Sequence, residues 1–219
     1  MAKTGPKMNH LFPLVRHISK PISRVLILTP LTPNQITTMS LILGITGSLL
    51  FLNSEPEYKI LGALIFLISY IFDNCDGEVA RFKNLTSNFG KSFDTFVDWL
   101  VHTVFFIMLG YGTAQETGNN IWLWLGVTGS IGGTINYLIV TFLKPQDDVN
   151  IILEEKNLPV TLKERIIFIF RELFRADFCF IVLILALANF LWVLLPAAAI
   201  GAQVYWIMII TSQLTKPTK

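Results

Sequence analysis

Two aspartates follow a long apolar stretch and begin the most informative segment of the chain. Asp73 and Asp76 are three residues apart, and Gly77, Ala80 and Arg81 follow at intervals of one turn or two turns. If the apolar stretch continues as a helix to residue 82, these five residues share one face of it. That face combines two carboxylates, two small residues and one guanidinium group.

A second acidic stripe follows after a short connection. Gly90, Asp94 and Asp98 are spaced four residues apart, which again places them on one helix face. Because the connection is short, we expect the two helices to be antiparallel neighbours. Four carboxylates then converge between them, close to one boundary of the membrane.

Four converging carboxylates need compensating positive charge. An aspartate within a membrane span costs about 2.5–3.5 kcal/mol on insertion scales, and Arg81 supplies a single charge. Oxygen-only ligands favour a hard cation, Mg²⁺ or Mn²⁺, with Ca²⁺ as a further option. Two such ions would balance the four carboxylates. Two-metal sites serve phosphoryl transfer by stabilising the attacking and leaving oxygens.

The composition predicts a membrane domain to position these residues. Among 219 residues, 53% are hydrophobic and 15% are charged, and the mean hydropathy is +0.58. Soluble domains carry about 25% charged residues, so a soluble globular protein is excluded. The net charge of +2 does not suggest nucleic acid as a partner. Cys75 and Cys179 lack the spacing of a disulfide framework or a zinc site.

The apolar segments predict an all-α integral membrane protein with six transmembrane helices. An N-terminal amphipathic segment, residues 1–33, would lie on the membrane surface, and residues 34–215 would form the catalytic domain. We expect the six spans at residues 34–52, 59–72, 90–111, 121–143, 165–188 and 191–210. In this arrangement all but one of the 17 Lys and Arg residues lie on the same side, which predicts that both termini are cytoplasmic.

The segment from Asp73 to Asp98 resembles the signature of the CDP-alcohol phosphotransferases (CDP-alcohol phosphatidyltransferases). The pattern Asp-x2-Asp-Gly-x2-Ala-Arg-x8-Gly-x3-Asp-x3-Asp is met at all eight fixed positions without a change in spacing. The six-span layout, the amphipathic N-terminal segment and the run Thr32-Pro33-Asn34-x2-Thr37 are also similar to the family. The resemblance implies transfer of a phosphatidyl or related group from a CDP-activated lipid, such as CDP-diacylglycerol, to a small polar alcohol, with release of CMP.

The resemblance also implies a role for each residue of the motif. Two divalent cations, Mg²⁺ or Mn²⁺, would be held by four carboxylates, those of Asp73, Asp76, Asp94 and Asp98. Asp98 would in addition be the general base. The nucleotide would be contacted by Thr37, Asp76, Gly77, Ala80, Arg81 and Gly90. A homodimer is expected as well.

The alcohol acceptor is indicated only by charge. Lys144, Arg171 and Arg175 lie where they can form a pocket for an anionic group, and Asp177 is placed beside them. These residues favour a phosphorylated acceptor, inositol phosphate or glycerol phosphate. The competing interpretation is that the basic residues extend to the interface and pair with lipid phosphates. For Asp177 the competing interpretation is an ion pair with Arg175 or Arg81.

Two further interpretations remain open from the sequence. His102 lies one turn beyond Asp98, where it either assists proton transfer or, as we favour, is a packing residue that hydrogen-bonds to a neighbour. An intramembrane aspartate cluster also suits a divalent-cation transporter. A transporter, however, tends to place its acidic residues near the bilayer midplane on several helices. Here they lie at one edge, on two helices.

Overall fold

The computed structural model describes residues 13–143 and 177–214, and this part of the chain is entirely helical. Seven α-helices follow one another: α1 Val15–Ile27, α2 Pro33–Leu50, α3 Pro56–Phe82, α4 Asn88–Thr117, α5 Ile121–Leu138, α6 Phe178–Leu187 and α7 Leu194–Leu214. A π-helical turn, Ile139–Leu143, extends α5, and a short 3₁₀ helix, Leu191–Val193, precedes α7. The all-helical prediction is therefore confirmed for the described residues.

Within the described part of the chain, three helices are long and apolar enough to cross a membrane, namely Pro56–Phe82, Asn88–Thr117 and α5 with its extension, Ile121–Phe142. Two shorter apolar helices are Phe178–Leu187 and Leu191–Ile207. The helix α2 covers the predicted first span. Half of the predicted fifth span, residues 165–176, lies outside the described residues. Several long apolar helices indicate an integral membrane protein, and the finer arrangement of six spans stays a prediction.

Local sequence explains where the helices of the acidic motif begin and end. Pro56 starts α3 in a position that needs no amide hydrogen, and the helix runs unbroken from its apolar half through the motif to Phe82. Asn84, with a φ of 55°, then turns the chain. Ser87 caps α4, because its hydroxyl accepts a hydrogen bond of 3.0 Å from the Gly90 amide.

The helix α2 has a complete capping box. The Thr32 hydroxyl accepts from the Gln35 amide, and the Gln35 side chain accepts from the Thr32 amide, while Pro33 occupies the first turn. This helix packs closely on both α3 and α4. At its contact with α3, Gly47 and Gly62 face each other so closely that a Cβ atom on Gly62 would lie 2.8 Å from the Gly47 carbonyl oxygen.

Large side chains fill the space between α3 and α4. The rings of Phe66 on α3 and Phe105 on α4 are 4.8 Å apart, and both are fully buried. Phe51 and Phe178 add edge-to-face contacts with Phe105. The expected antiparallel pair is therefore present, and its two helices contact each other through aromatic side chains. The closest backbone packing of α3 is with α2.

The amphipathic helix α1 lies against α3 and is held at both ends. Its buried residues, Val15, Ser19 and Ser23, face α3, whereas Arg16, Lys20 and Arg24 are exposed. Asp177 accepts hydrogen bonds from the amides of Leu14 and Val15 at 2.8 and 2.9 Å. After the helix ends, Lys83 donates to the carbonyl oxygens of Thr29 and Leu31 at 2.7 and 2.9 Å.

Candidate active site

Three of the four motif aspartates meet where α3 ends and α4 begins, which we call the aspartate end of the bundle. Asp73, Asp76 and Asp94 each offer a carboxylate oxygen, and these oxygens all lie within 4.8 Å of one another. Asp76 is buried, and the other two are half-buried. The two acidic stripes predicted from spacing therefore converge, because α3 and α4 run in opposite directions from a short turn.

The arrangement fits a divalent cation. The Oδ1 atom of Asp73 is buried and has no hydrogen-bond partner among the described residues. A buried carboxylate oxygen needs a compensating partner, and its nearest polar neighbours are two more carboxylates. Three converging carboxylates without cysteine or histidine match the ligand preference of Mg²⁺ or Mn²⁺. The structure therefore supports the predicted metal site at Asp73, Asp76 and Asp94.

Asp98 lies one turn further along α4 and does not belong to this group of three. Its carboxylate is near enough to those of Asp73 and Asp94 for their charges to interact. It is exposed, and it lines a cavity that opens beside the cluster. Asp98 thus stands between the three converging carboxylates and an open space, where a proton acceptor for a second substrate would be expected.

The hydroxyl of Thr37 on α2 contacts the buried aspartate of the cluster. Thr37 Oγ1 lies 2.5 Å from Asp76 Oδ2 and 3.1 Å from the carbonyl oxygen of Pro33. A carboxylate is the stronger acceptor of the two, so the hydroxyl hydrogen points to Asp76. Thr37 was predicted as a nucleotide contact on resemblance alone. That contact stays a prediction, and in the structure the Thr37 hydroxyl donates to Asp76.

Gly77 and Arg81 are neighbours on one helix face. A Cβ atom on Gly77 would lie 3.3 Å from an Nη atom of Arg81, so the guanidinium group folds back over the glycine. Gly77 therefore leaves space for the Arg81 side chain on this face of α3. Ala80 is half-buried on the same helix. Gly90 is at the start of α4, where a Cβ atom would lie 3.3 Å from the Asn34 side-chain oxygen.

His102 and Tyr70 form a hydrogen-bonded pair behind Asp98. The His102 Nδ1 atom lies 2.7 Å from the Asp98 carbonyl oxygen, which can only accept, so Nδ1 carries the hydrogen. Nε2 must then accept from the Tyr70 hydroxyl, at 2.5 Å. Both ring nitrogens are occupied, and the ring packs among Phe66 and Phe178. The geometry matches the packing role that we favoured for His102.

The predicted acceptor residues are placed only in part. Lys144, Arg171 and Arg175 lie outside the described residues. Asp177 is fully buried, and its two carboxylate oxygens accept the amides of Leu14 and Val15. A carboxylate at the N-terminus of a helix is favoured by the unpaired amides and by the helix dipole. Asp177 is thus an anchor for α1.

The cavity beside Asp98 lies between α4, α5 and α7. Its volume is about 600 Å³. Near Asp98 its wall includes Thr95, Asn136 and Tyr137, and further along the helices it is formed by apolar and small residues such as Phe106 and Ala198. The cavity therefore combines polar groups beside Asp98 with apolar walls further along the helices.

Sequence reasoning missed two contributors to this site. Tyr70 lies three residues before Asp73, inside an apolar run, where its hydroxyl gave the only polar signal. Asn136 lies in the apolar sequence of α5, and its Oδ1 atom is buried without a partner among the described residues. Both residues could have been found as polar side chains within otherwise apolar segments.

Comparison with known proteins agrees with this geometry. Residues 30–214 match the sequence model of one protein family, described as CDP-alcohol phosphatidyltransferase. A bifunctional IPC transferase and DIPP synthase of Thermococcus kodakarensis is 34% identical over 122 residues, which are 56% of this chain and 26% of that protein. A similar bifunctional protein of Aquifex aeolicus is 30% identical over 118 residues, 54% of this chain and 26% of that protein.

A second kind of relative is similar over a shorter stretch. The CDP-diacylglycerol–glycerol-3-phosphate 3-phosphatidyltransferase of Rickettsia typhi is 38% identical over 77 residues, which are 35% of this chain and 43% of that protein. The matched segments thus span about a quarter to under half of the length of these curated relatives.

Proposed function

The chain belongs to the CDP-alcohol phosphatidyltransferase family, and from this membership we propose that it moves a phosphatidyl group from a CDP-activated lipid to a small polar alcohol. The acceptor oxygen would attack the lipid-side phosphorus of the donor pyrophosphate. A new P–O bond forms, the bond to the CMP phosphate breaks, and CMP leaves. The observation that carries the proposal is the convergence of Asp73, Asp76 and Asp94 within 4.8 Å.

The donor would bind at the aspartate end of the bundle. Two Mg²⁺ or Mn²⁺ ions would be held by Asp73, Asp76 and Asp94, with Asp98 completing the set, and when bound they would neutralise charge on the pyrophosphate. The unpartnered Asp73 oxygen supports this assignment. Arg81, held over Gly77, would contribute a further positive charge to the nucleotide phosphates.

The residue that removes the acceptor proton would be Asp98. It is near Asp73 and Asp94, and it faces the cavity from which the second substrate would approach. The other polar group nearby, His102, has both nitrogens engaged. A carboxylate at this place can accept the proton of an attacking hydroxyl and hold the oxygen in line with the donor.

The proposal for the acceptor alcohol depends on basic residues of the chain and on the names of similar proteins. One group of relatives is named for glycerol-3-phosphate, and Lys144, Arg171 and Arg175 supply basic side chains suited to a phosphate. We therefore propose a phosphorylated acceptor, glycerol phosphate or inositol phosphate. Changing Arg175 to Ala tests this pocket, because it should raise the KM of the acceptor far more than that of the donor.

The surrounding architecture is proposed to be six membrane spans, with the aspartate end facing the cytoplasm. The distribution of Lys and Arg supports this orientation. A lipid donor would then reach the aspartates from the bilayer, and a soluble alcohol would reach them from water. In a bacterium the membrane would be the inner membrane. A homodimer is part of the same proposal.

The function is tested by measuring CMP release. Purified protein is incubated with CDP-diacylglycerol, Mg²⁺ or Mn²⁺, and candidate alcohols supplied one at a time, with EDTA as the control. We expect release that requires both metal and one particular alcohol. If CMP is not released and CDP-diacylglycerol does not protect the protein against heat, the transferase proposal fails and the cation transporter becomes the better explanation of the aspartates.

A further inference from the structure

One buried polar atom in the wall of the cavity is not explained by the fold. Asn136 lies on α5, and its Oδ1 atom is buried without a hydrogen-bond partner among the described residues. Asn136 and Asp98 line the same cavity. Trp99 and Tyr137, the residues that directly follow Asp98 and Asn136, stack with their ring centres 5.0 Å apart. This stacking brings α4 and α5 together at the residues next to Asp98 and Asn136.

Several neighbouring polar groups of the cavity wall are already engaged with protein partners. The Thr95 hydroxyl donates to the Lys91 carbonyl oxygen, and the Ser130 hydroxyl donates to that of Thr103. The Trp99 indole nitrogen donates to the Thr134 hydroxyl. His102 is bound to Tyr70 and to the Asp98 backbone. The Asn136 Oδ1 atom has no such partner among the described residues, so its amide can meet a ligand in the cavity that Asp98 also lines.

The wall near Asn136 has room for that ligand. Gly133 lies one turn before Asn136 on α5 and also lines the cavity, and a Cβ atom built on it meets no atom within 4 Å. A half-turn of the Asn136 amide about its Cβ–Cγ bond exchanges its oxygen and nitrogen without changing its volume. The amide can thus present either an acceptor or a donor to the cavity.

We infer that Asn136 binds a second hydroxyl group of the acceptor alcohol, next to the hydroxyl that attacks the donor. A hydroxyl both donates and accepts, so it matches an amide in either orientation. Asp98 is the one charged side chain in the described wall of the cavity, which favours a neutral group at Asn136. The acceptor is then a polyol, and Asn136 selects it over an alcohol with a single hydroxyl. The inference rests on the proposed transferase function.

The test removes the hydroxyl from the substrate and the amide from the protein. The acceptors are glycerol 3-phosphate and propane-1,3-diol monophosphate, which lacks the middle hydroxyl; if inositol phosphate is the active alcohol, its singly deoxygenated forms replace them. We compare the wild type with Asn136→Leu. The matched control is Asn120→Leu, at the other end of α5, where the asparagine is exposed and its side chain makes no capping hydrogen bond.

In the wild type, loss of the hydroxyl should lower kcat/KM about 10- to 100-fold, as expected when a buried partner is left unpaired. Asn136→Leu should raise the KM of the polyol and leave the KM of CDP-diacylglycerol unchanged. The variant should have similar kcat/KM values for the two acceptors. Asn120→Leu should retain the wild-type preference. The inference is overturned if the Asn136→Leu variant still prefers the polyol to the acceptor without the hydroxyl. It is also overturned if the wild type shows no such preference.

A second variant keeps the test decisive if Asn136→Leu does not fold. Gly133→Val adds a side chain whose Cβ atom meets no other atom within 4 Å, so it should narrow the acceptor space. We expect a raised KM for the polyol at an unchanged KM for the donor, and an unchanged acceptor KM counts against the inference. A wild type that releases no CMP with any alcohol is a failure of the proposed function instead, and it is recognised before any variant is made.

Discussion

The Thr37 hydroxyl lies 2.5 Å from Asp76 Oδ2 and connects α2 to the aspartate cluster on α3. Thr37 and Asp76 are both buried. Asp76 cannot turn away from the cluster without losing this charge-assisted hydrogen bond. Because α2 also packs closely on α4, one helix contacts both helices of the acidic motif and fixes the orientation of one of their carboxylates.

Replacing Thr37 by Val is expected to loosen the metal site while the fold is kept. Valine has nearly the same shape but cannot donate to Asp76, and loss of such an outer contact lowers metal affinity about 10- to 100-fold. The concentration of Mn²⁺ that gives half-maximal CMP release should rise accordingly. Thr37→Ser is the matched control, since it keeps the hydroxyl. Equal metal titrations for the Val and Ser variants would show that the contact does not serve the metal.

Replacing Asp73 by Asn should weaken metal binding and donor binding together. The change removes one negative charge from three carboxylates whose oxygens lie within 4.8 Å of one another, and it neutralises a carboxylate with an oxygen that has no partner among the described residues. Binding of Mn²⁺ to the purified protein, followed by the paramagnetic signal of the ion, measures the first effect. Protection by CDP-diacylglycerol against heat measures the second. An unchanged Mn²⁺ affinity would remove Asp73 from the ligand set.

Replacing Asp98 by Asn should abolish turnover and leave binding of the CDP-lipid donor largely unchanged. Asp98 lies outside the group of three carboxylates and faces the cavity, so the amide removes a proton acceptor and leaves those three in place. General base catalysis is worth about 10²- to 10⁴-fold in rate. We expect a loss of kcat of that order, with protection by CDP-diacylglycerol retained. Normal turnover in this variant would require another base.

Much of the site could be predicted from the sequence, because helical spacing decides which residues share a face. Asp73, Asp76 and Asp94 converge as their spacing predicts, and α3 continues through the motif as expected. The contacts of Thr37 with Asp76 and of Tyr70 with His102 join residues 39 and 32 positions apart. Spacing along one helix carries no information on which residue of another helix lies opposite, so these two contacts required the structure.

Asp177 is a second case in which the sequence did not indicate the contacts of a residue. Its position near Arg171 and Arg175 in the sequence suggested a role in acceptor binding or an ion pair. Its observed partners are the amides of Leu14 and Val15, more than 160 residues away. Backbone amides leave no mark in a sequence, because every residue except proline carries one. A buried carboxylate that binds amides of a helix N-terminus therefore looks, in sequence, like any acidic residue.

Replacing Asp177 by Asn distinguishes anchoring from acceptor binding. The amide keeps one acceptor oxygen but opposes its NH₂ group to a helix amide, and the stabilising charge is lost. We expect a cost of about 1–3 kcal/mol in the free energy of unfolding and faster proteolysis within residues 13–27. The acceptor KM should stay within twofold of wild type. A raised acceptor KM with unchanged thermal stability would instead return Asp177 to the acceptor pocket.

The opposite end of the bundle offers a test of stability that leaves the aspartates untouched. Lys59 at the start of α3 donates to Glu116 near the end of α4, at 2.6 Å, with side chains 8% and 39% exposed. Lys59→Met should lower the free energy of unfolding by about 1–2 kcal/mol, because it leaves a partly buried carboxylate unpaired. Glu116→Gln should have a similar effect.

The double variant, Lys59→Met with Glu116→Gln, decides whether the pair itself is responsible. No buried charge is left unpaired in it, so its melting temperature should lie above the value obtained by adding the two single losses. Thermal melts in one detergent, with CMP release as a check that the aspartate end is intact, give the comparison. Strictly additive losses would mean that Lys59 and Glu116 stabilise α3 and α4 through separate contacts.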